Sequence, residues 1–229
     1  MLAVWYIYYM LFGFTFDNKG NVAGEKTTLS YSAASLWHKS KEKYRAHYFE
    51  GEPSFTSPFT VFGSEVHRKV EHGEIVIPNH PHEKYHHELK LEASIGGVPM
   101  LAYIDMCNKD TKAVIDLKTS INAWTKIEVQ KLDQLPLYVA MLREHYTGVH
   151  MIARVIWLET KWVEKEGTQK NVSGFVAEEG STRTLALTDC PPVDIPRRIY
   201  LSDVKRVTEW VVRTAKEIDE DFTNYTKKK

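Results

Sequence analysis

The stretch that most constrains the fold of this 229-residue chain is 87–118, where three extended runs follow one another with almost nothing between them. Residues 87–95 alternate roughly between apolar and polar. Gly96-Gly97 supplies a tight hairpin turn, residues 98–108 return, and after a turn at 108–111 residues 112–118 make the third run. Connections this short join antiparallel neighbours, so the stretch predicts a three-stranded meander. Side-chain direction follows from that register. Asp116 and Lys118 are two apart on one strand and project from the same face, while Leu117 between them points into the core. Asp105, on the preceding strand, falls nearly opposite 114–116, so its carboxylate and that of Asp116 can converge.

Two carboxylates converging from neighbouring strands suit a hard divalent cation of the magnesium type, which takes a few carboxylates, waters and phosphate oxygens. A lysine beside them supplies positive charge or a proton path at an attacked phosphate. The chemistry that uses such a set is metal-assisted phosphodiester cleavage. Alone, the acid-x-lysine triplet reads equally well as a same-face salt bridge.

The rest of the chain places this strand pair in an α/β architecture with a central mixed sheet flanked by helices. Residues 30–50 predict a first helix, capped by Ser30 or Ser32, with Leu36, Trp37, Tyr44 and Tyr48 at apolar spacing and Gly51 as the stop. Residues 59–71 predict a second, with Phe62, Val66 and Val70 at i, i+4, i+8. Residues 125–146 give the strongest helical pattern, on Ile127, Leu132, Leu135, Val139 and Leu142, with Pro136 either kinking it or marking a first turn. Residues 149–158 read as a doubly buried strand, 172–187 as a hairpin around Glu179-Gly180, and 202–222 as an amphipathic helix. One domain over 1–229 is the simplest organisation: an N-terminal strand or hairpin over 1–29, a core over about 30–160, and a C-terminal hairpin and helix over 161–229.

Composition narrows the options by exclusion. Thirty basic and thirty acidic residues cancel, so no global positive field announces a nucleic-acid partner, although a local groove can still be positive. Two cysteines, Cys107 and Cys190, exclude a disulfide framework and any four-cysteine zinc or iron–sulfur site in one chain. They point to a reducing, cytoplasmic setting. The aromatic N-terminal 16 residues lack a basic leader and a cleavage site and are too short to span a bilayer, so no membrane partner is expected. Their aromatic and β-branched content predicts a buried strand.

Further residues fall into an ordered set. Gly63 precedes His67 by four on the second helix, Glu88 opens the first meander strand, and Ala102-Tyr103-Ile104-Asp105 precedes Asp116-Leu117-Lys118. Gln134 and Tyr138 then stand one turn apart on the following helix. In this order, and with the serine-rich opening Ser30-Tyr31-Ser32-Ala33-Ala34-Ser35-Leu36, the residues resemble the RecB-type exonuclease branch of the PD-(D/E)XK nuclease superfamily, over roughly 30–160. Ala102 stands where that family usually has glycine, and the triplet acid is aspartate rather than glutamate, both of which occur there.

The resemblance implies a restriction-endonuclease-like core and a DNA exonuclease dependent on magnesium or manganese, of the kind found in recombination, repair or phage genome processing. It implies a bacterial or phage-infected cytoplasm, and DNA ends or single strands as partner, with a recombination protein as a possible second one. His67, Asp105 and Asp116 would bind the metal together with the Leu117 carbonyl, and Glu88 would add a ligand or support one, with Glu92 as its rival. Lys118 would activate water or neutralise the transition state, and Gln134 and Tyr138 would contact substrate or orient Lys118. Some relatives carry an iron–sulfur cluster on four cysteines; two cysteines leave no such cluster here. A catalytically inactive DNA-binding scaffold and a structure- or sequence-specific endonuclease are the alternatives. Trp124, just past the lysine strand, is placed to stack on an unpaired base, whereas Trp37 and Tyr44 read as core. His80, His82, His86 and His87 fit no zinc spacing and read as a solvated loop flanking the cleft.

Overall fold

A computed structural model describes residues 10–17, 20–53, 56–164 and 183–228. Two strands, β1 (Phe14–Phe16) and β2 (Val22–Glu25), form an antiparallel ribbon closed by bonds between Asp17 and Asn21. They precede helices α1 (Tyr31–Lys39), α2 (Lys41–Tyr48) and α3 (Pro58–Glu71). The meander follows as β3 (Tyr85–Ile95), β4 (Val98–Asn108) and β5 (Val114–Ser120). Then come α4 (Lys126–Lys131), α5 (Gln134–His145), β6 (Ile152–Glu164), β7 (Arg183–Leu187), β8 (Val193–Arg198) and α6 (Leu201–Thr226).

The fold is α/β with a mixed sheet. Among the described residues the strand order is β3-β4-β5-β6-β7, with β8 also paired to β6. β3, β4 and β5 are antiparallel neighbours, as the sequence predicts. β5 and β6 run parallel, with α4 and α5 as the crossover between them. The Gly96-Gly97 turn has φ of 59° and 85°, conformations glycine adopts without strain, and a Cβ on Gly96 would stand 2.6 Å from Val212 Cγ2.

Two cores sandwich the sheet. The larger packs α1, α2, α5 and α6 on one face through Trp37, Tyr44, Leu135, Val139, Leu142, Val211, Ile218 and Phe222. The smaller packs Phe62, Val66 and Val70 of α3 against Ile115, Leu117, Ile156 and Leu158. Burying those three α3 side chains contributes roughly 5–9 kcal/mol before the entropy of ordering them. That burial pins α3, and with it His67, to the end of β5.

Several boundaries differ from the sequence reading. The first predicted helix is two, because Ser40 is extended (φ −162°, ψ 107°) and its side chain accepts from Lys43 N to start α2. The 125–146 helix is likewise broken at Leu132, and Pro136 sits in the first turn of α5, where a missing N–H costs nothing. α4 opens on a reciprocal cap between Thr125 and Glu128, and Ile127 on it is exposed rather than inward. β8 was not anticipated. Its Pro196 argues against a strand, but among the described residues β8 pairs with β6 alone, which leaves it at an edge where proline is tolerated. The predicted turn at Glu179-Gly180 and the first part of the apolar N-terminus lie outside the described residues.

A candidate metal centre in the split between β4 and β5

β4 and β5 share only two paired positions, Met106 with Ile115 and Cys107 with Val114. Beyond them the strands part. The Leu117 N–H, which a continuing ladder would engage, donates instead to Asp105 Oδ2 at 2.6 Å. β3 and β4 are distorted at the same level. Residues 87 and 89 should face the same side of the sheet, as should 104 and 106. Yet Ile104 belongs to the larger core and its neighbour-but-one Met106 to the smaller. The change of face falls at Asp105 and at Glu88, directly across in register, and Glu88 has φ of 47°. A non-glycine residue in the left-handed region costs roughly 1–2 kcal/mol, and such strain gathers at functional sites.

The distortion aims both carboxylates into the split, where His67 meets them from α3. Donor atoms of His67, Glu88 and Asp105 all lie within 4.8 Å of one another. His67 Nδ1 stands 3.5 Å from Asp105 Oδ1. Gly63, one turn before His67, rests against β5: a Cβ there would lie 3.0 Å from Thr119 Oγ1. The glycine of the Gly63–His67 spacing thus sets how closely α3 approaches the strand carrying Asp116 and Lys118.

Asp116 is 1% exposed, and its Oδ2 lies 2.8 Å from Lys118 Nζ. Lys118 Nζ also donates to Gln134 Oε1 at 3.3 Å, which fixes the amide so that Gln134 Nε2 donates to the Tyr138 hydroxyl at 2.7 Å. The Tyr138 hydroxyl in turn donates to the Tyr103 carbonyl at 3.2 Å. A continuous polar chain therefore runs from Asp116 to the backbone of β4, two residues before Asp105. Gln134 thus contacts Lys118 directly, and Tyr138 contacts Gln134.

The electrostatics are those of carboxylates crowded away from water. Burial, then the charge of Asp116, pushes Asp105 well above the usual carboxylate range, against the pull of the Leu117 N–H and Lys118. Burial and Glu71 push Glu88 up as well. Burial draws His67 down, so its ring is neutral and free to offer a lone pair. For Lys118 burial also acts downward, but Asp116, Asp105 and Tyr31 outweigh it and hold the ammonium above its ordinary value. Two carboxylates that repel each other without a cation, beside a neutral imidazole, form a donor set that fits magnesium or manganese.

His67, Glu88 and Asp105 are thus brought together, while Asp116 adjoins them and is held by Lys118. Leu117 lies between the two groups, and its backbone also faces His67. Glu92, the rival to Glu88, is excluded from the cluster: it is exposed and pairs with Lys90 at 2.7 Å. Trp124 is half-buried against the larger core. The histidine loop is mostly exposed, as the sequence suggests, with His80 the exception. His80 is buried between the Tyr85 hydroxyl (2.8 Å) and Asp194 (3.4 Å), because the loop folds back beneath α3. His82 donates to the Glu71 carbonyl and stacks on His87 with ring centroids 4.1 Å apart. Tyr31, beside Lys118 and the backbone of Gln134, was not foreseen as part of the site; its place directly after the α1 cap residue Ser30 was the only sequence hint. Cys107 is buried one step beyond the split, its thiol pushed up to about 11 by burial.

No family model matches the chain, and no curated protein matches it. Among solved structures, one described as "Crystal structure of SSO0001" is 13% identical over 83% of this chain and 78% of that chain, with a TM-score of 0.43. Among the described residues no helix is long and apolar enough to cross a membrane.

Proposed function

We propose that this protein is a metal-dependent deoxyribonuclease of the PD-(D/E)XK type that hydrolyses phosphodiester bonds, acting as an exonuclease on DNA ends. The observation that carries the proposal is the gathering of His67, Glu88 and Asp105 within 4.8 Å of one another beside the Asp116–Lys118 pair, from four separate elements. The ordered resemblance of these residues to RecB-type exonucleases supplies DNA and exonuclease; the donor chemistry supplies metal-assisted hydrolysis.

In this reading His67, Glu88 and Asp105 hold magnesium or manganese, with Asp116 and the Leu117 carbonyl adjacent to complete the shell. The bound ion supplies Lewis acidity toward the phosphodiester and acidifies water. Lys118, held cationic by Asp116, balances the negative charge that grows on the phosphoryl oxygens. Gln134 keeps the ammonium aimed into the split, and Tyr138 keeps Gln134 in place. Leu117 and the smaller core close one side to bulk water, which strengthens each of these charge interactions.

End-labelled linear DNA and closed circular DNA, each incubated with magnesium, manganese or chelator, test the proposal. Linear DNA should be degraded from its ends, circles should survive, and chelator should stop the reaction. Asp116→Asn and Lys118→Met should each lower cutting by at least about 10²-fold, the usual cost of one such electrostatic partner. Cutting by Asp116→Asn at the wild-type rate would remove the site assignment.

A further inference from the structure

Phe59 on α3 and Trp162 on β6 remain 42% and 36% exposed, yet they touch each other. Their ring centroids are 5.6 Å apart and their planes meet at 77°. Single exposed aromatics are ordinary on a protein surface. Two from different elements, meeting edge to face, are less so, because an edge-on pair leaves both faces of one ring uncovered by its partner.

Their position relates them to the metal centre. Phe59, Gly63 and His67 recur at i, i+4 and i+8, so they share one stripe of α3. Gly63 rests on Thr119, the residue after Lys118, so the stripe runs along the C-terminal end of β5. Eight residues of helix separate Phe59 from His67 by about 12 Å along the axis. β6 outruns β5: its pairing with β5 ends at Ser120–Glu159, and Trp162 lies three residues further on, past that end of β5 and paired with Leu185 of β7. Twelve ångströms is about three to four base steps of a stacked strand.

Resting on the nuclease reading, we propose that Phe59 and Trp162 form a stacking platform for one unpaired base of the bound strand, three or four nucleotides from the scissile phosphate. Every base has a π face, so the platform tolerates any sequence while requiring that the base be unpaired. The substrate class that follows is DNA with single-stranded or readily frayed ends, in preference to a flush duplex.

The experiment measures binding of a fluorescent oligothymidylate to the Asp116→Asn protein, so that cutting does not intervene, by anisotropy. Trp162→Ala and Phe59→Ala should each weaken binding roughly 5- to 100-fold, the range found for loss of one base–aromatic stack. Trp162→Phe should retain most of the affinity. A single abasic residue moved along the oligonucleotide should weaken binding at one register, and that penalty should vanish in Trp162→Ala. Equal penalties in both proteins, or unchanged affinity of both alanine variants, would overturn the platform. A fall in melting temperature with uniform loss at every register would mark the pair as a brace between α3 and β6 and overturn it too. Wild-type cutting alongside unchanged binding by the aromatic variants sinks the platform alone. Register-specific stacking in a protein that never cuts with magnesium or manganese sinks the nuclease reading alone.

Discussion

Asp105 concentrates the conflict built into the site. Its carboxylate is largely withdrawn from water, faces Asp116, and accepts the Leu117 N–H, and the first two effects prevail, so its pKa lies above the ordinary range. The metal-free folded protein thus retains a proton that the unfolded chain gives up near pH 4. Between that pH and the raised native value, stability from Asp105 falls as pH rises. Glu88 acts in the same direction. His67 acts in the opposite one: its lowered pKa makes stability rise through about pH 6.5. Asp105→Asn isolates the carboxylate contribution. Measured by denaturant unfolding without metal, the variant should gain on wild type as pH increases from 4 to 7, while losing metal-dependent activity. Tyr138→Phe probes the other end of the polar chain. It leaves Gln134 Nε2 without its acceptor and the Tyr103 carbonyl without its donor, which should cost about 1–3 kcal/mol in stability, and it should lower kcat more than it raises KM. At this scale the site was partly legible. Asp105, Asp116 and Lys118 follow from strand alternation and a short turn. Glu88 was reached through the ordered resemblance and not through alternation, because a left-handed residue inside a strand breaks the very alternation used to find faces.

Among the elements, α3 is the one whose placement the site depends on. Three buried side chains fix its rotation, and Gly63 fixes its distance from β5. Gly63→Ala brings a Cβ to 3.0 Å from Thr119 Oγ1, so the helix must give by a few tenths of an ångström; the better helix propensity of alanine, worth about 1 kcal/mol, opposes the strain. The melting temperature should stay within a few degrees of wild type. Activity should nonetheless fall several-fold, and Gly63→Val should lower it by about 10²-fold, because displacement of about 1 Å near reacting groups has that effect. α3 was readable in the sequence from its 62-66-70 spacing. The breaks at Ser40 and Leu132 were not, since both fall inside periodic stretches whose apolar residues continue across them. What divides the first is a serine that caps the next turn; what holds the second is a buried Arg197 from β8 that binds the Val129 and Leu132 carbonyls at 3.1 and 2.8 Å. An arginine 65 residues distant leaves no trace in the helical pattern it interrupts.

For the whole molecule, the proposed metal centre makes cation binding and folding linked equilibria. Manganese that binds the folded protein alone should stabilise it by about 2.7 kcal/mol at a hundred times its dissociation constant, raising the melting temperature about 5–10 °C at neutral pH. Near pH 5 the shift should shrink, because protons compete for Glu88 and Asp105. Glu88→Gln should weaken it at every pH. A melting temperature indifferent to manganese at pH 7 would contradict the donor assignment. The meander and the flanking helices lie within reach of patterning because each follows from short-range rules. The parting of β4 from β5 after two pairs lies beyond them, since nothing in either segment marks where they separate.

That brief junction has a consequence of its own. The β3–β4 hairpin and the parallel β5–β6 pair are joined edge to edge by Met106–Ile115 and Cys107–Val114. The least fastened seam in the sheet therefore passes through the proposed metal centre. On gentle warming, the Leu117 amide should exchange with deuterium sooner than those of Val155 or Ile156 on the neighbouring strand, and catalysis should fade before the molecule melts.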